Sequence, residues 1–142
     1  MDLAKYKFLI ADDHSLLRHM MSKALKEVSV TQIDWATDGQ DAINKIIAAN
    51  ENNVPYDIIC LDWGMPKLTG IDVLKLCRKD KRFDNTAIVM VTAEAEESNI
   101  LHAIEEGATS YITKPVASEV LIKKLGELAN WLENRHVKTA LA

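Results

Sequence analysis

Residues 57–66 read Asp57-Ile58-Ile59-Cys60-Leu61-Asp62-Trp63-Gly64-Met65-Pro66: four apolar residues between two aspartates, followed by a Gly- and Pro-containing turn. An unbroken apolar run of this length is what a strand buried on both faces requires, and such strands belong to parallel sheets covered by helices on both sides. Working outward, Phe8-Leu9-Ile10-Ala11 and Ala87-Ile88-Val89-Met90-Val91 share this character. Two further runs differ. Ile33-Asp34-Trp35-Ala36 and Tyr111-Ile112-Thr113 alternate apolar with polar residues, as strands at the edge of a sheet do.

Between these five runs lie stretches with apolar residues at helical spacing. The stripes are Leu17, Met21, Ala24 and Val28; then Ala42, Ile43, Ile46 and Ile47; then Ile71, Leu74 and Cys77. A fourth is Ile100, Leu101 and Ile104, and the last is Leu121, Leu125, Leu128 and Leu132. Ser15 or Asp13 is suited to cap the first helix, Asp38 the second and Ser118 the fifth, while Gly107 stands where the fourth should stop. The alternation predicts an α/β, doubly wound (βα)5 fold with one five-stranded parallel sheet. With the alternating runs at the edges, the strand order is 2-1-3-4-5, the flavodoxin-like arrangement.

The totals fit one domain. The chain has 142 residues, 48% apolar and 27% charged. No apolar run approaches the roughly 18–20 residues that span a bilayer, and the N-terminus lacks the long apolar stretch of a secretory signal. A cytoplasmic protein with no membrane partner is expected. The net charge of −4 argues against a nucleic-acid partner. Lys75, Arg78, Lys79, Lys81 and Arg82 form a local basic group that reads as a solvated helix end. Two cysteines are too few for a disulfide framework, and Cys60 reads as a small buried hydrophobe.

In a sheet of this order the site lies beyond the carboxyl ends of the strands, near the switch point between strands 1 and 3. The first run leads into Asp12-Asp13, the third into Asp62, the fourth into Thr92 and the fifth into Lys114-Pro115. Three carboxylates brought together repel one another unless a cation intervenes. Oxygen donors without a thiolate or imidazole cluster suit Mg²⁺; His14 is a possible further donor, read as a residue of the loop surface. A metal ion, an ammonium and a hydroxyl around one carboxylate make a set able to receive a phosphoryl group. The central position of Asp62 selects it as the nucleophile. Taken singly, Asp13 or Thr92 is also explicable as a helix cap.

These residues resemble a known family, the receiver domains of bacterial response regulators. The resemblance is carried by LIADDHSLLR, DIICLDWGMPKLTGID, VMVTAEAEE and GATSYITKP, and it spans about residues 5–133. It is nearest to single-domain chemotaxis response regulators, through Asp62-Trp63 with Met65-Pro66 and through Thr92-Ala93-Glu94-Ala95. The strand order is also that family's, so the two readings are not independent.

The resemblance implies a single receiver domain over 1–142, with 134–142 extending the last helix or forming a tail. It implies phosphorylation of Asp62 by a sensor histidine kinase, without turnover as a conventional enzyme. Mg²⁺ would be bound by Asp13, Asp62 and the backbone carbonyl of Gly64, with Asp12 acting through water. Lys114 would contact the phosphoryl oxygens, and Thr92 and Tyr111 would form the switch. Pro115 would follow a cis peptide bond. A downstream protein target would dock on the fourth helix, fifth strand and fifth helix of a monomer or weak dimer. On residues alone, Tyr111 could equally pack passively.

Two features depart from the family. Gly64 replaces a larger polar side chain, and Glu94, Glu96 and Glu97 make the start of the fourth helix acidic. The alternatives are a detached receiver of a larger regulator and a phosphorylation-independent pseudo-receiver. A nucleotide or flavin enzyme on this fold is disfavoured by the absence of GxGxxG and GxxxxGKS.

Overall fold

The structure is a computed structural model that describes residues 2–141, with 136–141 described by backbone only. Five strands and five helices alternate: β1 (Lys7–Ala11), α1 (Ser15–Glu27), β2 (Gln32–Ala36), α2 (Gly39–Glu51), β3 (Ile58–Leu61), α3 (Gly70–Arg78), β4 (Ala87–Thr92), α4 (Glu97–Glu105), β5 (Ser110–Thr113) and α5 (Ser118–Leu141). A short 3-10 turn, Lys81–Phe83, precedes β4. The sheet is parallel throughout, in the order β2-β1-β3-β4-β5. The expectation for 134–142 falls largely on residues described by backbone only or, at 142, not described.

The two-residue period of a strand sorts the side chains into two cores. Phe8, Ile10, Ile58, Cys60, Val89, Val91 and Ile112 face Met21, Ala24 and Leu25 of α1 and Leu121, Leu125, Leu128 and Leu132 of α5. Leu9, Ile59, Leu61, Ile88 and Met90 face Ala42 and Ile46 of α2, Val73, Leu74 and Cys77 of α3, and Ala103 of α4. Strands β3 and β4 are buried at every position, whereas β2 alternates and β5 is only partly covered. Cys60 is fully buried, and that burial pushes its thiol pKa up to about 12.

Several local expectations are corrected. The fourth stripe is wrong: α4 buries Ala103, while Leu101 and Ile104 are 53% and 46% exposed. The reason is helical phase. Ala103 faces the sheet, and the larger Leu101 and Ile104 lie about 160° and 100° round the helix from it. Neither Ser15 nor Asp13 caps α1; His14 occupies the N-cap position, with no side-chain bond to the helix. Ser118 is the first residue of α5 rather than its cap. Asp38 does cap α2, accepting from the Asp41 amide.

The basic group also changes meaning at Arg78. Its guanidinium is half-buried and donates to the carbonyls of Gly107, Phe83 and Thr86 and to Thr109 Oγ1, at 2.7–3.2 Å. One arginine thus ties the end of α3 to the start of β4 and the turn into β5. Gly107, with φ of +105°, ends α4 where a side chain would be strained and would meet the Arg78 stem at 2.8 Å.

Candidate functional site

Strand register assembles the site. Ala11 pairs with both Ala36 and Leu61, so the next residues, Asp12 and Asp62, emerge side by side. Their backbones are held in line, the Asp12 amide donating to Ala36 and the Asp62 amide to Ala11, each at 3.0 Å. Thr92 pairs with Thr113, which brings Lys114 to the same edge, and the Lys114 amide donates to the Thr92 carbonyl at 2.8 Å. The Lys114–Pro115 peptide is cis, as expected.

Asp12, Asp62 and Thr92 are buried, at 1%, 6% and 2% exposure. Burying two carboxylates is costly unless they are paired. Lys114 supplies the pairing: its Nζ lies 2.8 Å from Asp12 Oδ2 and 3.1 Å from Asp62 Oδ2. Burial lowers the ammonium's pKa, but the hydrogen bond and charge of Asp12, followed by those of Asp62, outweigh it. The net shift is upward from the ordinary lysine value, so Lys114 stays charged.

Asp13 stands on the open side of the site. His14 lies beside it, with Nδ1 at 3.1 Å from Asp12 Oδ1 and 3.2 Å from Asp13 Oδ1. Asp12, Asp13, His14 and Asp62 each present a ligand atom, all within 4.8 Å of one another. Three carboxylates in this space fit a hard divalent cation. Gly64 lines, with Asp62, Thr92 and Lys114, a cleft of about 520 Å³ that is otherwise largely apolar, bounded by Leu16, Met20, Pro115 and Val116. A Cβ added at Gly64 would meet nothing within 4 Å, so the space beside Asp62 is open.

Thr92 Oγ1 accepts a 3.3 Å hydrogen bond from the Glu94 amide. Tyr111, half-buried, donates its hydroxyl to the Glu94 carbonyl at 2.5 Å. Burial, then the charges of Glu94 and Asp62, raise its pKa. The Tyr111 hydroxyl is thus neither free in water nor turned inward: it ties β5 to the loop before α4.

All seven residues singled out in the sequence stand at this end of the sheet. Sequence reasoning undervalued His14 and missed Gly70 and Arg18. A Cβ at Gly70 would lie 2.0 Å from the Asp62 carbonyl, so only glycine lets α3 start against the Asp62 backbone. Arg18 holds the Asp12 carbonyl at 2.6 Å. Thr69-Gly70-Ile71-Asp72 contains the local signal, because Thr69 and Asp72 form a capping box that starts α3. Arg18 has no such signal.

A parallel sheet in this order, with buried carboxylates on two adjacent central strand ends bridged by a lysine, defines a class of doubly wound domains with an acidic cluster at the switch point. The chain belongs to one family of that class: the response regulator receiver domain model matches residues 8–126. It is 34% identical over 122 residues to the chemotaxis protein CheY of Pseudomonas aeruginosa, covering 86% of this chain and 94% of that one. It is 32% identical over 119 residues to the chemotaxis protein CheY1 of Helicobacter pylori, covering 84% and 93%. Among solved structures, Vibrio cholerae CheY4 superposes with a TM-score of 0.76 at 29% identity, covering 87% and 98%. The CheX-CheY-BeF3-Mg complex of Borrelia burgdorferi gives 0.76 at 26%, covering 87% and 88%. Among the described residues, no helix is long and apolar enough to cross a membrane.

Proposed function

We propose that this chain is a two-component response regulator that accepts a phosphoryl group on Asp62 from a sensor histidine kinase, in the presence of Mg²⁺. The observation that carries this reading is the Lys114 ammonium held between the buried carboxylates of Asp12 and Asp62. Asp62 is paired with the Lys114 ammonium, yet it faces an open cleft through which a donor can approach.

In the transfer, an Asp62 oxygen attacks phosphorus. The P–N bond to the kinase imidazole breaks as the O–P bond forms, and the electron pair returns to that nitrogen, leaving a neutral imidazole whose other nitrogen keeps its proton. Such transfers depend on alignment and on neutralising the equatorial oxygens. Lys114, already 3.1 Å from Asp62 Oδ2, is placed to follow those oxygens. Asp12, Asp13, Asp62 and the Gly64 carbonyl would hold Mg²⁺, which would supply further neutralising charge. Thr92 can exchange its long contact with the Glu94 amide for donation to a phosphoryl oxygen. Moving Thr92 disturbs Glu94, whose carbonyl holds Tyr111, so the change reaches β5 and the start of α4.

The output surface in this reading is α4–β5–α5, where Leu101, Ile104 and Val120 are exposed. Glu94, Glu96 and Glu97 at its rim favour a basic partner surface. A role in chemotaxis is consistent with the two named relatives, and a cytoplasmic location with phosphotransfer from a kinase. The chain itself is a phosphoacceptor rather than a turnover enzyme.

Incubation with a small phosphodonor and Mg²⁺ tests this reading by intact mass. One phosphoryl adduct is expected on the wild type and none on Asp62→Asn. A wild type that gains no adduct at saturating Mg²⁺ would identify a pseudo-receiver that works by contact alone.

A further inference from the structure

Two nitrogen groups flank Asp12, and they differ in kind. Lys114 engages Oδ2 on the inner side, where it is permanently a donor. His14 engages Oδ1 on the outer side, through a nitrogen that carries a lone pair in one neutral tautomer. The His14 amide also donates to Asp12 Oδ1, at 2.8 Å, so the backbone alone holds this residue against the acid pair. Its ring need not be there to satisfy Asp12. The ring nevertheless sits with Nδ1 within 3.1–3.9 Å of one oxygen each from Asp12, Asp13 and Asp62.

Those separations have a metric meaning. Ligand atoms about 2.1 Å from one ion stand about 3.0 Å apart at right angles, about 3.4 Å in a tetrahedron and about 4.2 Å when opposed. The 3.1, 3.2 and 3.9 Å contacts of Nδ1 all fall in that range. An imidazole therefore already stands where a ligand of the shared ion would stand. Oxygen donors and water suit Mg²⁺, whereas an imidazole in the same set raises affinity for late first-row ions such as Ni²⁺, Cu²⁺ and Zn²⁺.

We propose that His14 is a direct ligand of the cation at this site and gives the receiver a preference for a late transition ion over Mg²⁺. The inference rests on the reading of the acidic cluster as the receiver's divalent-cation site. When such an ion binds, an N–H···O contact to Asp12 is replaced by nitrogen–metal–oxygen coordination. The ring proton then resides on Nε2, which the largely exposed side chain presents to solvent. The ion would sit beside Asp62 with one more ligand position filled by protein, which changes the room left for a phosphoryl oxygen.

Trp63 follows Asp62 in the chain, and its fluorescence is the expected readout of binding. Titrations of the full chain with Mg²⁺ and separately with Ni²⁺, for wild type and His14→Asn, test the proposal. Asparagine retains the backbone amide that holds Asp12. The expected result is a Ni²⁺ affinity at least about tenfold above that for Mg²⁺ in the wild type. In His14→Asn, the Ni²⁺ affinity falls by about tenfold while the Mg²⁺ affinity stays within about twofold. Pulsed EPR of the Cu²⁺-loaded wild type should show one imidazole nitrogen coupling, absent from His14→Asn. Unchanged Ni²⁺ affinity and a persistent nitrogen coupling in His14→Asn would overturn the role of His14 and leave the receiver reading intact. Failure of the wild type to bind either ion would overturn both.

Discussion

The two ends of the sheet both place a cation among buried polar groups, yet they are built for different purposes. At the amino end, Arg78 spends its donors on three backbone carbonyls and the Thr109 hydroxyl. Those acceptors are neutral and fixed to the chain, so the guanidinium's donors are taken up within the fold. At the carboxyl end, Lys114 is shared between two carboxylates that each retain lone pairs for other partners. One end uses charge to close the structure, while the other holds charge in a form that a ligand can reorganise. Helix α4 runs between them, with Glu94 near its start tied to Tyr111 and Gly107 beyond its end tied to Arg78.

Removal of each cation separates the two designs. Lys114→Met leaves Asp12 and Asp62 buried without a countercharge, and a loss of about 3–5 kcal/mol is expected in metal-free buffer. Mg²⁺ should restore much of that loss in urea unfolding, because a bound ion replaces the missing charge. Arg78→Met should cost about 2–3 kcal/mol by stranding half-buried carbonyls, and Mg²⁺ should restore none of it. Equal rescue of both variants would erase the distinction between the two ends.

A pH series sharpens the same contrast. The folded-state pKa of Lys114 is raised, so its contribution is fully present below the ordinary lysine value of about 10.4. It is lost as pH rises through the higher folded value. The stability difference between wild type and Lys114→Met, without metal, should therefore hold up to about pH 10 and shrink above it. Arg78→Met should show no such narrowing, since arginine stays protonated across that range. The smallest effect is expected at Tyr111→Phe. Loss of its bond to the Glu94 carbonyl should cost about 1 kcal/mol or less in stability. Its mark should instead be a changed affinity for the output partner, read by titration of the phosphorylated protein.

Much of this was legible in the sequence because strands β1, β3 and β4 are unbroken apolar runs and β2 and β5 are not. That contrast sets the strand order, and the order brings Lys114 to Asp12 across 102 positions of sequence. Helix α4 was misread because it has apolar residues on two faces and buries the smallest of them. Ala103 packs on the sheet, while Leu101 and Ile104 look outward. Periodicity cannot tell a core stripe from an exposed one when both are aliphatic. Arg78 was misread because its acceptors lie up to 31 positions away and are mostly backbone atoms, which carry no residue signature. His14 was set aside for a related reason: whether a loop imidazole meets its neighbours' carboxylates is decided by backbone angles, not by residue type.

The central claim is that phosphorylation reorganises the carboxyl end of the sheet and leaves the amino end as it is. Hydrogen–deuterium exchange of the Mg²⁺-bound chain, with and without a small phosphodonor, tests it most directly. The predicted result is altered exchange at residues 92–97 and 111–116, with no change at 78–87 or 107–109. An adduct that forms without altering 92–97, or that loosens the Arg78 segment to the same degree, would contradict it.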